Sequence, residues 1–260
     1  MSSGHNNPAD VHNERGITLA ERGWLDEAIN EFNKALAHCP HSSQSYDNLG
    51  NVYADKGDLM SALRAYVQAL NLDPENPCAL HNLGCFLSNF SNKLAATCFS
   101  KAFTIEPEFF ESRFHLGLCL SAEEKHEKAA QQYLLALEQK PDDTEIRREL
   151  AISYMELGKE VEAIKELLKV LRINEKDALA WYYLSACYER RGFLEEAEKA
   201  LNSSLALDPN HAEAILLLSS ISMKQGRKKE AKSLLKKAMR LDPLFTKSYI
   251  KSDDNLRGLI

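Results

Sequence analysis

A pattern that returns every 34 residues constrains the fold of this chain more than any other feature of its sequence. When residues 43–76 are aligned with residues 178–211, a Leu-x3-Tyr pair, a Gly, an Ala and a Pro fall in the same positions. A period of this length is typical of stacked supersecondary units, each of which contacts only its neighbours. Seven units fit the chain, the third of them one residue short: 9–42, 43–76, 77–109, 110–143, 144–177, 178–211 and 212–245.

Each unit has the pattern of two short amphipathic helices. Its apolar residues recur at i, i+3, i+4 and i+7, which is the period of a helix and not of a strand. A Gly midway through five units marks a tight turn, because Gly tolerates φ > 0, and a Pro near the end of six units stops the second helix. These residues are Gly23, Gly57, Gly158, Gly192 and Gly226, and Pro40, Pro74, Pro107, Pro141, Pro209 and Pro243. The sequence therefore predicts fourteen helices and no strand.

Two columns of the repeat indicate how the helices of a unit should meet. The eighth position is small in every unit, which would let two helices approach closely: Gly16, Gly50, Gly84, Gly117, Ala151, Ser185 and Ser219. The twenty-fourth position is bulky and should pack against a neighbouring helix: Phe32, Tyr66, Phe99, Tyr133, Leu167, Leu201 and Leu235. The twentieth position, between them, is always Ala.

Together these columns resemble the tetratricopeptide-repeat signature W-x2-L-G-x2-Y, then A-x3-F, then P. The second unit reads Tyr46-x2-Leu49-Gly50-x2-Tyr53, Ala62-x3-Tyr66 and Pro74, and the sixth reads Trp181-x2-Leu184-Ser185-x2-Tyr188, Ala197-x3-Leu201 and Pro209. The resemblance covers about nine-tenths of the chain. It implies an all-α fold: a right-handed α-solenoid of seven tetratricopeptide helical hairpins with a short C-terminal cap.

The two ends of the array are expected to differ from its middle. We predict that residues 1–8 are disordered and that residues 246–260 form a capping segment, with apolar side chains covering the last repeat: Tyr249, Ile250, Leu256, Leu259 and Ile260. The first unit carries His12 and Arg15 where apolar residues are usual, as suits a terminal repeat that faces water. We also expect changes of superhelical pitch at the shortened third unit and at the fifth unit, which lacks its closing Pro.

The family resemblance implies that the first helix of each hairpin lines a partner-binding groove. The candidate groove residues are Asn48, Asn51, His81, Asn82, Asn89, Phe114, His115, Arg148, Tyr182, Tyr183 and Arg190. Asn amides offer both a donor and an acceptor, so a row of them suits a peptide backbone, although Asn also serves simply to solvate an exposed helix. Phe114, Tyr182 and Tyr183 are candidate aromatic anchors, with packing between repeats as the alternative reading.

Catalytic, metal and cofactor sites are not predicted. No nucleophile–base set, phosphate-binding Gly loop or paired-carboxylate pattern stands out. Cys78, His81 and Cys85 share one helical face, but seven residues rise about 10.5 Å along a helix, too far for both sulfurs to bind one ion. At most two of the three could share an ion, and His115 of the next unit would have to help. A chaperone-tail clamp is also not expected, because Asn13 and Ile17 stand where that clamp needs Lys and Asn.

Charge is distributed unevenly along the chain. The net charge is −6, yet the segment from residue 212 onward has eleven basic and five acidic residues, a net of +6. A candidate basic patch lies there: Lys228, Lys229, Lys232, Lys236 and Lys237. Such a patch could contact nucleic acid, an anionic membrane surface or an acidic partner. We do not expect nucleic acid, because no aromatic residues are interleaved, and solvation of an exposed repeat end is the simpler reading.

The remaining expectations concern location and function. No apolar run approaches the roughly 20 residues of a membrane span, and the amino terminus lacks an apolar signal core, so a cytoplasmic location is predicted. The six scattered Cys fit reduced, buried thiols. The function predicted is a non-catalytic scaffold, monomeric or weakly oligomeric, that binds a protein or peptide in its concave groove. The alternatives are an assembly chaperone or adaptor for a subunit of a larger complex, and a regulatory arm of a separately encoded enzyme.

Overall fold

The computed structural model describes residues 7–257, apart from the side chain of Asn255. Over this range the chain forms sixteen helices and no strand, so the predicted all-α class is confirmed. The helices are α1 Pro8–Glu21, α2 Leu25–His38, α3 Ser43–Asp55, α4 Leu59–Leu72, α5 Pro77–Ser88, α6 Asn92–Ile105, α7 Phe110–Ala122, α8 His126–Gln139, α9 Thr144–Glu156, α10 Glu160–Ile173, α11 Ala178–Arg190, α12 Leu194–Leu207, α13 Ala212–Lys224, α14 Lys228–Leu241, α15 Pro243–Ser252 and α16 Asp254–Arg257.

Most turns within hairpins depend on glycine. Gly57 has a φ of 80° between α3 and α4, and the other four turn glycines expected from the sequence also have positive φ. After α7, where the sequence has no Gly, Glu124 takes a φ of 59°. A residue with a Cβ pays for this conformation with about 1–2 kcal/mol. The turn after α5 is the shortened one of the third unit, and no positive φ is recorded there.

The small eighth position and the bulky twenty-fourth position contact each other across a hairpin. A Cβ placed on Gly50 would lie 2.5 Å from the ring of Tyr66, and one on Gly84 would lie 2.7 Å from the ring of Phe99. Gly16 stands in the same relation to Phe32, at 2.6 Å. The aromatic ring therefore occupies the space that a side chain at the eighth position would need.

The chain divides into two compact units, which we call the amino-terminal unit (residues up to 124) and the carboxy-terminal unit (residues from 125). In the amino-terminal unit, α1 contacts α3, α3 contacts α5 and α5 contacts α7. In the carboxy-terminal unit, α9 contacts α11 and α11 contacts α13. Among the described residues of either unit, no such direct contact joins the second helices of successive hairpins. The first helices thus form an inner layer in each unit, and their shared surface is called the inner face below.

Both ends of the described chain depart from the expected boundaries. Helix α1 begins at Pro8, since Pro suits a first helical position, and the Asn7 side chain caps it by accepting from the Ala9 N–H at 3.2 Å. Residues 1–6, for which disorder is predicted, lie outside the described range, as do Leu259 and Ile260. Helix α15 begins at Pro243, and its Ile250 is buried together with Leu256 against the last hairpin.

The cysteines only partly match the expectation of buried thiols. All six are free, but only Cys119 and Cys187 are buried, whereas Cys78 is exposed. The other three are half-buried. Cys78 and Cys85 lie on α5, a helix of the inner layer, and a Cys at such a position looks the same in sequence as one in the core. The predicted changes of superhelical pitch stay predictions.

Candidate interaction face

The amide of Asn48 joins two neighbouring hairpins of the amino-terminal unit. Its Nδ2 donates to Asn13 Oδ1 at 3.1 Å, and Ser45 Oγ donates to the same oxygen at 3.2 Å. Asn13 is buried. Its side-chain oxygen therefore serves the contact between α1 and α3.

The next contact along the inner face pairs Asn82 with a buried carboxyl. Asn82 Nδ2 donates to Asp47 Oδ2 at 2.9 Å, while Asp47 Oδ1 is buried with no hydrogen-bond partner among the described residues. Burial raises the pKa of Asp47 to about 6, against the lowering effect of the Asn82 bond. Asn48 and Asn82 hence each join two neighbouring hairpins through the Nδ2 group of the amide.

Asn51 and Asn89 line a cleft between the second and third hairpins. The cleft measures about 510 Å³ and is bordered by Asn51, Ala54, Asp55, Leu59, Tyr66, Asn82, Cys85, Phe86, Asn89 and Phe90. Asn51 Oδ1 accepts from the Tyr66 hydroxyl at 2.8 Å. Asn89 is exposed and caps the end of α5 by donating to Phe86 O at 3.3 Å.

Amide and apolar side chains both line the cleft. Its apolar lining includes Phe86 and two exposed side chains: Phe90 is 58% exposed and Leu59 is 46% exposed. Among the described residues, Asp55 is the one acidic residue that lines the cleft, and no basic residue lines it. The arrangement can accept main-chain hydrogen bonds and an apolar side chain at the same place.

His81 and His115 meet at the end of the same unit. Their ring centroids are 5.1 Å apart, and both rings pack against Phe99. His81 Nδ1 lies 2.9 Å from Ser112 Oγ and its Nε2 lies 3.5 Å from Cys85 Sγ. Burial lowers the pKa of His81 to about 4, with a smaller contribution from His115. Phe114, a predicted anchor, is half-buried and stacks edge-on against His115.

In the carboxy-terminal unit the predicted site residues are linked mainly by charge. Arg148 Nη1 donates to Asp177 Oδ2 at 2.7 Å, and both side chains are largely buried. Arg190 Nη1 donates to the backbone oxygen of Met155 at 2.8 Å. Both arginines thus join α9 to the hairpin that follows it, so their first role is to hold repeats together.

Tyr182 and Tyr183 form a half-buried aromatic pair on α11. Their ring centroids are 5.2 Å apart, and Tyr182 also packs against His211 at 4.8 Å. Burial raises the pKa of Tyr182 to about 12 and raises that of Tyr183 as well. Tyr182 also packs against the buried core around Leu217, which supports the packing role more directly than an anchoring one.

The basic patch lies on α14, away from these residues. All five of its lysines are exposed. Lys237 Nζ donates to the backbone oxygen of Pro209 at 2.8 Å, whereas no ion pair is recorded for the other four among the described residues. Arg227, at the start of the helix, pairs with Glu198 and Glu230.

Asn13 and Asp47 are inner-face residues whose importance the sequence reasoning missed. A signal for both was present: Asn13 and Asn48 are 35 residues apart, as are Asp47 and Asn82. The repeat is 34 residues long, so two residues 35 apart lie in successive units, the second of them one position further along its unit than the first. Polar pairs at that spacing predict links between repeats.

Comparison with known families agrees with this architecture. A model described as "Tetratricopeptide repeat" matches residues 9–42, one described as "TPR repeat" matches 50–85, and a second "Tetratricopeptide repeat" model matches 92–144. Residues 148–249 match the "Cilia and flagella-associated protein 70 middle TPR-like domain". The chain belongs to the tetratricopeptide-repeat family. This family fold is in general a protein-interaction scaffold and is typically non-catalytic.

Two curated relatives match a part of the chain. The tetratricopeptide repeat domain-containing protein PYG7, chloroplastic, from Arabidopsis thaliana is 34% identical over 71 residues, which are 27% of this chain and 24% of that protein. The probable biofilm formation methyltransferase WspC from Pseudomonas putida is 37% identical over 70 residues, which are 27% of this chain and 16% of that protein. The tetratricopeptide-repeat chain therefore aligns with less than a quarter of either relative.

Solved structures share the fold over most of the tetratricopeptide-repeat chain. A tetratricopeptide repeat protein from Parabacteroides merdae has a TM-score of 0.69 at 20% identity, covering 94% of this chain and 98% of that one. Pseudomonas aeruginosa pilF has a TM-score of 0.67 at 20% identity, covering 81% and 97%. YrrB, described as a TPR protein with an unusual peptide-binding site, has a TM-score of 0.57 at 20% identity, covering 72% and 98%. Among residues 7–257, no helix combines the length and the apolar character that crossing a membrane requires.

Proposed function

We propose that this tetratricopeptide-repeat protein is a non-catalytic scaffold that binds an extended segment of a partner protein in the cleft between its second and third hairpins. The observation that carries the proposal is the mixed lining of this cleft. Asn51, Asn82 and Asn89 offer amide groups, and Leu59 and Phe90 offer exposed apolar surface in the same cleft.

The chemistry of the cleft favours a partner segment with an apolar side chain and no net negative charge. An extended backbone can both donate to and accept from Asn amides. A large apolar side chain removes surface from water when it packs against Phe90 and Leu59. The exposed carboxylate of Asp55 and the lack of a basic lining residue disfavour an acidic segment. The description of YrrB as a peptide-binding protein of the same fold supports a peptide ligand.

Peptides selected from a random display library against the whole protein provide the probe for this proposal. For a selected peptide, we expect Phe90→Ala to weaken binding by about tenfold or more, since aromatic residues are frequent hot spots. Phe193→Ala is the matched control: Phe193 is 43% exposed and also precedes a second helix, but in the carboxy-terminal unit. Fluorescence anisotropy of the labelled peptide would give both affinities.

Asn89→Ala is expected to weaken the same peptide by a smaller factor, about two- to tenfold, because it removes one hydrogen bond of modest net strength. Asn82→Ala is a poorer test, since it also removes the partner of the buried Asp47 carboxyl. Equal affinity of the peptides for wild type, Phe90→Ala and Asn89→Ala would contradict the proposal. The cytoplasmic location and the two alternative functions, assembly chaperone and regulatory arm, stay predictions.

A further inference from the structure

The structure gathers a set of metal-ligating side chains that the sequence argument set aside. His81, Cys85 and His115 each offer one ligand atom, and these atoms all lie within 4.8 Å of one another. Cys78, the third member of the face considered in the sequence, is exposed and takes no part in this cluster. His115 from α7 thus stands in the cluster in place of Cys78.

We propose that His81, Cys85 and His115 form a binding site for a zinc-like divalent ion that links α5 to α7. The donor set is two imidazole nitrogens and one thiolate, which suits Zn²⁺ and disfavours hard ions such as Mg²⁺ and Ca²⁺, which prefer oxygen ligands. The proposal does not depend on the peptide cleft.

One of the ligand-to-ligand distances that a tetrahedral site requires is already present. Tetrahedral bonds of about 2.3 Å to sulfur and 2.0–2.1 Å to nitrogen place a sulfur and a nitrogen ligand about 3.6 Å apart. His81 Nε2 and Cys85 Sγ are 3.5 Å apart, at the four-residue spacing that brings two side chains onto one helical face. The longest separation in the cluster, 4.8 Å, must shorten by about 1.5 Å to fit a tetrahedral ion. This movement requires a rotation of the His115 side chain, which is half-buried and packs against His81 and Phe99.

The other ring nitrogen of His81, Nδ1, also has a hydrogen-bond partner. Ser112 Oγ lies 2.9 Å from His81 Nδ1, and Ser112 is fully buried on α7. When Nδ1–H donates to this hydroxyl, the lone pair of Nε2 is directed toward Cys85. Metal-binding histidines commonly use their other nitrogen in this way, which fixes the tautomer and the ring orientation. Ser112 thus positions His81 from the same helix that carries His115.

An ion can reach the cluster from solvent, because all three ligands are half-buried and Cys85 also lines the cleft. With three protein ligands, the fourth position is left to water from the cleft. On binding, the Cys85 thiol loses its proton to the buffer as the sulfur–metal bond forms, so one proton is released per ion.

Cobalt(II) is the most direct probe, because a thiolate bound to Co²⁺ gives an ultraviolet charge-transfer band and a tetrahedral site gives strong visible absorption. Apo-protein, kept reduced with a phosphine, would be titrated with CoCl₂. We expect both signals to saturate at one equivalent in the wild-type protein and to disappear when Zn²⁺ is added. Proton release in weak buffer should follow the same curve.

Variants then assign the ligands. Cys85→Ser should abolish the charge-transfer band, and Ser112→Ala should weaken binding by about tenfold. Cys78→Ser, on the same helix, is the control and should bind as wild type does. The proposal is overturned if wild type shows only the weak spectrum of octahedral cobalt, or if the band survives Cys85→Ser. Since the first of these outcomes needs no variant, a misfolded variant cannot leave the question undecided.

Discussion

The two compact units use different side chains to make the same contact within a hairpin. In the amino-terminal unit the eighth position is Gly and faces an aromatic ring, as in Gly50 with Tyr66 and Gly84 with Phe99. In the three hairpins that lie wholly within the carboxy-terminal unit, the eighth position holds a residue with a Cβ and the twenty-fourth position is Leu. Ala151 and Leu167, which share one core cluster, are an example. The volume of the pair is conserved, although neither residue type is.

The inner faces of the units also differ in how they join repeats. The amino-terminal unit uses amides around a buried carboxyl, with Asn48 bound to Asn13 and Asn82 bound to Asp47. The carboxy-terminal unit uses the Arg148–Asp177 ion pair and the Arg190 bond to Met155 O. Each unit holds one tryptophan, Trp24 or Trp181, so single-tryptophan variants can report the unfolding of each unit separately.

The largest expected effect concerns the ion pair of the carboxy-terminal unit. Asp177 also caps α11, since its Oδ1 accepts from the Ala180 N–H at 2.9 Å. Asp177→Ala should therefore cost about 2–3 kcal/mol, of which about 1 kcal/mol is the cap and the rest is the unpaired Arg148. Urea unfolding followed by Trp181 fluorescence measures this cost.

Asp143→Ala is the matched control for that change. Asp143 caps α9 through the N–H groups of Glu145 and Ile146, and no ion pair is recorded for it among the described residues. The control should lose only the cap contribution of about 1 kcal/mol. Equal losses for the two variants would show that the ion pair adds nothing to the link between repeats.

The buried carboxyl of the amino-terminal unit should make that unit sensitive to pH. The folded-state pKa of Asp47 is raised from 3.8 to about 6, so the folded state binds more protons between these values. Stability should therefore fall as pH rises through this window and stay lower above it. Asp47→Asn should remove this dependence and raise the free energy of unfolding at pH 7 by about 1–3 kcal/mol. Unfolding followed by Trp24 fluorescence at pH 4 and pH 7 tests both parts, and a stability that rises between these pH values would contradict the assignment.

The compensation in volume between the eighth and twenty-fourth positions can be tested by enlarging the eighth residue of one hairpin. Gly84→Ala places a Cβ 2.7 Å from the Phe99 ring, and overpacking of this kind costs about 1–3 kcal/mol. The better helix propensity of Ala offsets up to about 1 kcal/mol of this cost. Adding Phe99→Leu should recover part of the loss, with a coupling energy of about 0.5–2 kcal/mol in a double-mutant cycle. Additive effects would show that the two positions do not compensate for each other.

The smallest effect is expected on the outer surface of the last hairpin. Lys228→Glu, Lys229→Glu and Lys232→Glu should together change the free energy of unfolding by no more than about 0.5 kcal/mol per site, because these side chains are exposed and surface changes are usually that small. Retention on heparin is expected to be weak in wild type. Steep salt-dependent retention that the triple variant loses would instead favour nucleic acid or membrane contact.

Much of the fold could be predicted because the residues that specify the helices and turns of a repeat lie within that repeat. The period of apolar residues predicts the helices, and Gly57 with its four counterparts predicts the turns. The positive φ of Glu124 in the turn of the fourth unit could not be predicted, because a non-glycine residue in this conformation has no clear sequence signal. Helix α15 begins at Pro243, inside the expected seventh unit, since a Pro that ends one helix also suits the start of the next.

The candidate site was predictable only in part. The inner-face position of Asn51 and Asn89 follows from the repeat, but the cleft beside them depends on how Phe86 and Phe90 pack. Asn13 looked like a failed clamp residue and is instead a buried acceptor between repeats. A polar residue on an inner face can point to solvent or to the next repeat. The periodicity of the sequence is the same in both cases, so it does not distinguish them.

The sequence by itself determined the repeat, the family and the helices, because these depend on residues close to one another along the chain. The tertiary structure decided which groups from different repeats meet: Asn82 with the buried Asp47, and His115 with His81 and Cys85. These partners are 30 to 35 positions apart in the sequence. Whether they touch depends on the offset and rotation between stacked hairpins. A shift of one helical position would separate them, and the pattern of apolar residues does not specify the stacking to that precision.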